Sequence, residues 1–264
     1  MLLDALGLQD CRLVSLTGAG GKTNLMFALA RETVDAGGRA LITTTTKIAS
    51  NEADSWPGFA AATAEEFLDR GRAILPAAGA VVAWSGETPD GERRIGPAPE
   101  VIDEIAAAGW FDRILVEADG SKRLPLKVPA AHEPVVPAAS DALIMVAGLN
   151  GLGRPLDADH VFRPALWSEL TGLKPGQPVG AESLARAVVH PDGLAKGCPE
   201  KAQLVLFLNQ ADKPQRLQAA ERVIELLPTL AGRCPGRAVA GWLLPEPGIA
   251  ATAVLTDELA IGVR

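Results

Sequence analysis

One stretch constrains the fold more than any other: RLVSLTGAGGKTNLMFALAR, Arg12 to Arg31. An apolar, strand-like run passes through Gly18, Gly20 and Gly21 into a Lys-Thr pair, then into a segment with Leu25, Met26 and Leu29 at helical spacing. A strand that ends on glycines and turns directly into a helix presents backbone N–H groups and the positive end of a helix dipole, a combination that suits an anion. The phosphate-loop pattern is GxxxxGK[ST]: the backbone wraps phosphates, Lys reaches the terminal ones and the Ser/Thr hydroxyl meets Mg²⁺. Gly21-Lys22-Thr23 fits the end of that pattern, and Leu16 stands where its first glycine would be. Gly18, Ala19, Gly20, Gly21, Lys22, Thr23 and Asn24 are therefore expected to hold phosphates in a variant loop, with Thr23 on Mg²⁺.

The rest of the chain supplies the setting such a loop needs. Apolar runs at Leu13–Thr17, Ala40–Thr44, Ala80–Trp84, Arg113–Glu117, Ala142–Val146, Gln203–Leu208 and Ala238–Leu243 are short and mostly do not alternate with polar residues. That is how strands read when helices cover both faces of a parallel sheet. Helical patterns at Thr23–Asp35, Thr63–Arg72, Pro99–Ala108, Ala181–Val189 and Pro214–Leu227 are interspersed with them. The expected fold is α/β, three-layer and P-loop NTPase-like with a mostly parallel central sheet, as a single domain over residues 1–264. A surface hairpin or loop is expected near 85–97, around Pro89-Asp90-Gly91. The proline-rich segment 119–137 is too long for a simple turn and is expected to be functional.

Composition closes off other classes. A net charge of −7 and a pI near 5.1 argue against nucleic acid as the main partner. Cys11, Cys198 and Cys234 form no CxxC pair, so neither a disulfide framework nor a zinc knuckle is expected. The N-terminus lacks a basic n-region and no apolar run reaches membrane-spanning length, so the reading is a cytoplasmic protein with no membrane contact.

Further segments belong beside a phosphate loop. RILVEADGSK ends an apolar strand in Glu117 and Asp119, at the edge where open α/β sheets bind ligands; either carboxylate could hold Mg²⁺ or orient an attacking water. LVLFLNQADKP places Asn209 and Asp212 after a late strand. An Asn-x-x-Asp there can read a base, although Gln210 stands where the guanine-reading motif has lysine, and the same pair can also cap the following helix. ITTTTKIAS brings threonines, Thr45 among them, to a strand end where a hydroxyl could meet Mg²⁺ or the γ-phosphate. In SKRLPLKVPAAHEPVVP, the residues Lys122, Lys127, His132 and Glu133 could clamp an anionic substrate or a partner; His160 and Arg163 in LGRPLDADHVFRP could face the same ligand.

Taken together, TGAGGKT, TTTTK, VEADGSKRLPLKVPAAHEPVVP, HVFRP and LNQADK resemble the YqeC family of selenium-dependent molybdenum hydroxylase accessory proteins, over most of the chain. More distantly, Gly-Lys-Thr, Glu117 to Gly120 and Asn209 to Asp212 resemble metallocentre-insertion GTPases of the signal-recognition and MinD-like class. The resemblance implies a Mg²⁺- and nucleoside-triphosphate-dependent factor (GTP or ATP) that helps mature a molybdenum hydroxylase, with the molybdenum cofactor as cargo. It also admits a homodimer that completes the site. Lys22, Glu117 and Asp119 would carry slow triphosphate hydrolysis. Two alternatives stay open: an ATP-dependent small-molecule kinase or ligase, and a non-hydrolysing binder of a phosphorylated pterin or dinucleotide cofactor.

Overall fold

The computed structural model describes residues 1–50 and 56–255. Within it the chain forms β1 (Leu13–Gly18), β2 (Ala40–Thr44), β3 (Lys47–Ala49), β4 (Gly58–Ala60), β5 (Ala80–Trp84), β6 (Gly86–Glu87), β7 (Arg93–Ile95), β8 (Arg113–Glu117), β9 (Leu126–Lys127), β10 (Ala142–Gly148), β11 (Val161–Phe162), β12 (Gln203–Asn209), β13 (Arg237–Trp242) and β14 (Gly248–Val254). The α-helices are α1 (Leu2–Leu6), α2 (Lys22–Asp35), α3 (Ala64–Ala78), α4 (Pro99–Ala107), α5 (Pro164–Thr171), α6 (Ala181–Val189) and α7 (Pro214–Leu226).

Nine strands form one sheet in the order β14-β13-β12-β10-β1-β8-β2-β5-β4, parallel throughout except for the β13–β14 edge pair. The unalternating apolar runs have a simple cause. In β1, Val14 and Leu16 pack on α1 and α2, while Leu13 lies in the core on the opposite face. In β10, Ile144 and Val146 join the first of these layers, and Leu143 and Met145 pack with α6 and α7 on the other. Both strands thus bury both parities of side chain, which is the expected three-layer α/β arrangement.

Where prediction and structure differ, local signals explain it. The α3 helix runs past Arg72 and through Pro76 to Ala78, closing on Gly79 at φ 70°. β14 pairs antiparallel, with a register irregularity at Ala240/Gly241, and its partly exposed small residues carry little strand signal. Segment 85–97 forms the β6–β7 hairpin, and β3 adds to it as a third strand. Segment 119–137 is held down by the parallel pairing of β9 with β11 and by the Val135 N–H donating to the Ala118 carbonyl at 3.0 Å. Among the described residues no helix is long and apolar enough to cross a membrane.

Candidate active site

The topology delivers three strand ends to one place. β1 lies between β10 and β8, and Glu117 at the end of β8 is level with Leu16 of β1 and Thr44 of β2. The loop from Gly18 to Lys22 leaves β1 here and opens α2, so it sits at the carboxyl edge of the sheet where its order changes direction. Gly20 has a φ of 82°, and a Cβ there would lie 2.5 Å from Gly148 Cα and 2.7 Å from the Pro125 carbonyl. Gly21, at φ 135°, leaves room for the Asn209 amide, which a Cβ would strike. Both positions require glycine for conformation and for close approach. Gly20→Ala is accordingly expected to cost about 1–3 kcal/mol of backbone strain. That lowers Tm by ~2–4 °C per kcal/mol in a thermal melt; an unchanged Tm would mean that the loop can lift off Gly148.

Lys22 does not project into solvent; it is 3% exposed. Its Nζ donates to the Gly18 carbonyl at 2.7 Å, pairs with Asp119 Oδ1 at 3.1 Å and lies 3.6 Å from Glu117 Oε1. Burial pulls the ammonium pKa down, but the Asp119 and Glu117 carboxylates push it up by more, so Lys22 stays charged. Thr23, the next residue, donates its hydroxyl to Glu117 Oε2 at 2.8 Å. Among the described residues the N–H groups of Gly20, Gly21, Lys22 and Thr23 have no partner. Four adjacent backbone donors at a helix N-terminus, beside a lysine, make an anion cradle.

Behind the loop runs a buried series of alternating charges. Asp119 Oδ2 accepts from the Gly18 N–H at 3.0 Å and pairs with Lys127 Nζ at 2.9 Å. Lys127, 1% exposed, also donates to the Gly120 carbonyl at 2.7 Å and to Glu133 Oε2 at 2.9 Å. Arg163 grips Glu133 with both arms of its guanidinium, at 2.7 and 2.9 Å. Burial alone would raise the Glu133 pKa, but hydrogen bonds from Arg163 and Lys127 outweigh it and hold the carboxyl at about 2. Lys22, Asp119, Lys127, Glu133 and Arg163 therefore form one connected network.

The remaining sequence candidates are placed as follows. Asn209 donates its amide to the Gly20 carbonyl at 2.7 Å and accepts from the Gln210 N–H at 2.8 Å, so one end of its side chain braces the glycine loop and the other the turn that follows β12. Asp212 lines the cleft and pairs with Arg216 at 3.1 Å. Asn24 and Lys122 also line it. Thr45 donates to the Val135 carbonyl at 2.6 Å, tying the threonine run to the proline-rich segment. Lys127 and Arg163 are spent on the interior network and His132 is exposed. His160 pairs with Asp157 through Nδ1 at 2.7 Å.

The whole opens into a cleft of about 1130 Å³. Its walls include Lys47 and Phe162 from the quoted motifs, and residues that no local motif marked: Arg93, Arg216 and Trp242. Only the chain path brings them to the loop.

Comparison with known proteins follows the same segments. Residues 14–165, from β1 through the acidic strand and the proline-rich segment to the start of α5, match the family described as YqeC protein. The "Uncharacterized protein YqeC" of Escherichia coli (strain K12) is 33% identical over 220 residues, covering 81% of this chain and 82% of that protein. A chain of the MinC:MinD cell division protein complex of Aquifex aeolicus superposes with a TM-score of 0.41 at 15% identity, over 82% of this chain and 77% of that one. The family match spans the loop, the carboxylates and the Lys127–Glu133 segment alike, and the chain is a member of the YqeC family.

Proposed function

We propose that this protein binds a nucleoside triphosphate with Mg²⁺ on Gly18–Thr23, hydrolyses it slowly, and acts as an accessory factor in maturing a molybdenum hydroxylase, selenium-dependent enzymes included. One observation carries the nucleotide reading: a lysine, a hydroxyl, two carboxylates and a run of backbone donors converge at one strand-to-helix turn. The accessory role rests on the family's resemblance, with the molybdenum cofactor as cargo.

The residues fit Mg²⁺. Thr23 Oγ1 and Glu117 are hard oxygen donors already in contact, and Mg²⁺ in such sites takes one or two protein oxygens and completes its shell with water and phosphate. When bound, the ion neutralises charge on the phosphate oxygens. The backbone donors fix the phosphates, Lys22 moves from Asp119 toward the terminal phosphate, and Asp119 or Glu117 orients the attacking water. Catalysis of this kind depends on positioning and electrostatics rather than covalent chemistry. The base is GTP's or ATP's, with Asp212, paired with Arg216, the carboxylate on that side of the cleft and Asn209 holding the loop.

Calorimetric titration with GTP and ATP, with and without Mg²⁺, tests this directly. Thr23→Val and Glu117→Gln should each weaken the Mg²⁺-dependent part of binding by about 10–100-fold, the usual cost of disturbing a metal's protein partners. Identical Mg²⁺ dependence in both variants would remove the metal assignment, and no binding of either nucleotide would overturn the reading.

A further inference from the structure

We infer that the cleft contains a second anion site, built from Lys47, Arg93 and Lys122, which takes a phosphate-bearing small molecule alongside the triphosphate. The inference relies on the nucleotide reading for that pairing only.

The site is set by the register of the small sheet. In the β3–β7 pair, Ala49 faces Arg93 and Lys47 faces Ile95, so Lys47, Ala49 and Arg93 share one face of the antiparallel ladder. All three line the cleft. Their neighbours of opposite parity point the other way: Ile48 is buried in the core and the Arg94 guanidinium lies 3.9 Å from the centre of the Trp84 ring. Two cations are thus directed at the cleft by a sheet anchored from behind. Lys122 joins them from the proline-rich segment, with its backbone in the left-handed region at φ 51° and its ammonium 5.2 Å from the centre of the Phe162 ring. Non-glycine residues held at such φ values cluster where a ligand is clamped.

Charge accounting points to an anion. Among the described residues no carboxylate lies within ion-pair distance of Lys47, Arg93 or Lys122, whereas Arg39, Arg186 and Arg222 elsewhere on the surface each have one. The carboxylates of the cleft are already engaged: Glu133 by Lys127 and Arg163, Asp212 by Arg216, and Glu117 by Thr23 and Lys22. On a chain of net charge −7, cations that have no ion-pair partner among the described residues and line one concavity focus a positive potential there. Size agrees: about 1130 Å³ exceeds the roughly 300–1,000 Å³ that holds one small ligand. A phosphate, with several acceptor oxygens and up to two charges, can engage a forked guanidinium and two ammonium groups together.

Inorganic pyrophosphate is the probe, titrated calorimetrically into wild type, Lys22→Ala and the Lys47→Ala/Arg93→Ala double variant, with thermal melts confirming folding. The substituted side chains of the double variant are exposed, so it should fold. Wild type should show two sites. Lys22→Ala should keep the second, and the double variant should weaken it by at least ~10-fold, the effect of losing one or two charge-assisted contacts, while its affinity for Mg²⁺ with GTP or ATP stays unchanged. A single site lost in Lys22→Ala, or two sites unaltered in the double variant, overturns the inference. Weaker triphosphate binding in the double variant assigns these cations to the nucleotide, which ends the inference and leaves the proposed function standing. Pyrophosphate bound through Lys47 and Arg93 with no response to any triphosphate would do the reverse.

Discussion

Replacing Lys22 with alanine is expected to weaken triphosphate binding by ~30-fold to several thousandfold, since truncating one partner of a buried, hydrogen-bonded charge pair costs about 2–5 kcal/mol. The effect is large because the side chain is sealed in the loop, 3% exposed, so water cannot replace its charge. The fold should survive: Asp119 keeps Lys127 at 2.9 Å and the Gly18 N–H at 3.0 Å. Lys22→Met, which preserves the stem and removes only the charge, separates loop packing from phosphate attraction. Titration of both variants with GTP and ATP, next to a thermal melt, reads the result. Wild-type affinity in a folded Lys22→Ala protein would show that the loop does not hold phosphate.

The second large effect concerns stability. Lys127→Met keeps the bulk of a buried side chain but leaves Asp119 Oδ2 and Glu133 Oε2 without their shared cation. Removing one member of a buried ion pair usually costs about 3–5 kcal/mol. In urea that moves the unfolding midpoint down by ~1–2 M for typical slopes. A loss below about 1 kcal/mol would show that Arg163 alone satisfies Glu133. Acid unfolding supplies an independent reading of the same network. The Glu133 pKa falls on folding, from 4.5 to about 2, so its contribution is complete above about 4.5 and is lost as pH drops toward 2. It is worth up to about 3 kcal/mol at 1.36 kcal/mol per pH unit. In Lys127→Met that acid-sensitive portion should shrink.

The limits of sequence reading follow from the range of each interaction. β2, β5 and β8 begin and end where their predicted runs do, because burial on both faces selects apolar side chains over most of their length; the buried Thr43, Thr44 and Arg113 each donate to a backbone carbonyl. The glycine loop was legible for the same reason: a left-handed backbone and contact with Gly148 admit nothing larger. Tertiary partnerships were not. Lys127 in a proline-rich segment reads as a solvent-facing cation, and only the β9–β11 pairing turns it inward to meet Asp119 and Glu133. Thr45 looked available to a phosphate, yet a backbone carbonyl ninety residues away takes its hydroxyl. Arg163 could face a ligand by sequence, and its value to the fold depends on Glu133, thirty residues earlier. Two-residue strands such as β9 and β11 leave no periodicity to detect.

Lys22 is already paired with Asp119 before any ligand arrives, and this makes binding an exchange rather than an addition. A phosphate that takes the ammonium displaces a carboxylate, so the count of ion pairs at the lysine is the same on both sides of the reaction. The measured heat of binding then reports a difference between two anions. It depends on whether Asp119, left with Lys127, is better or worse solvated than it was with two cations. Ligands that bring no compensating cation of their own gain least from such an exchange.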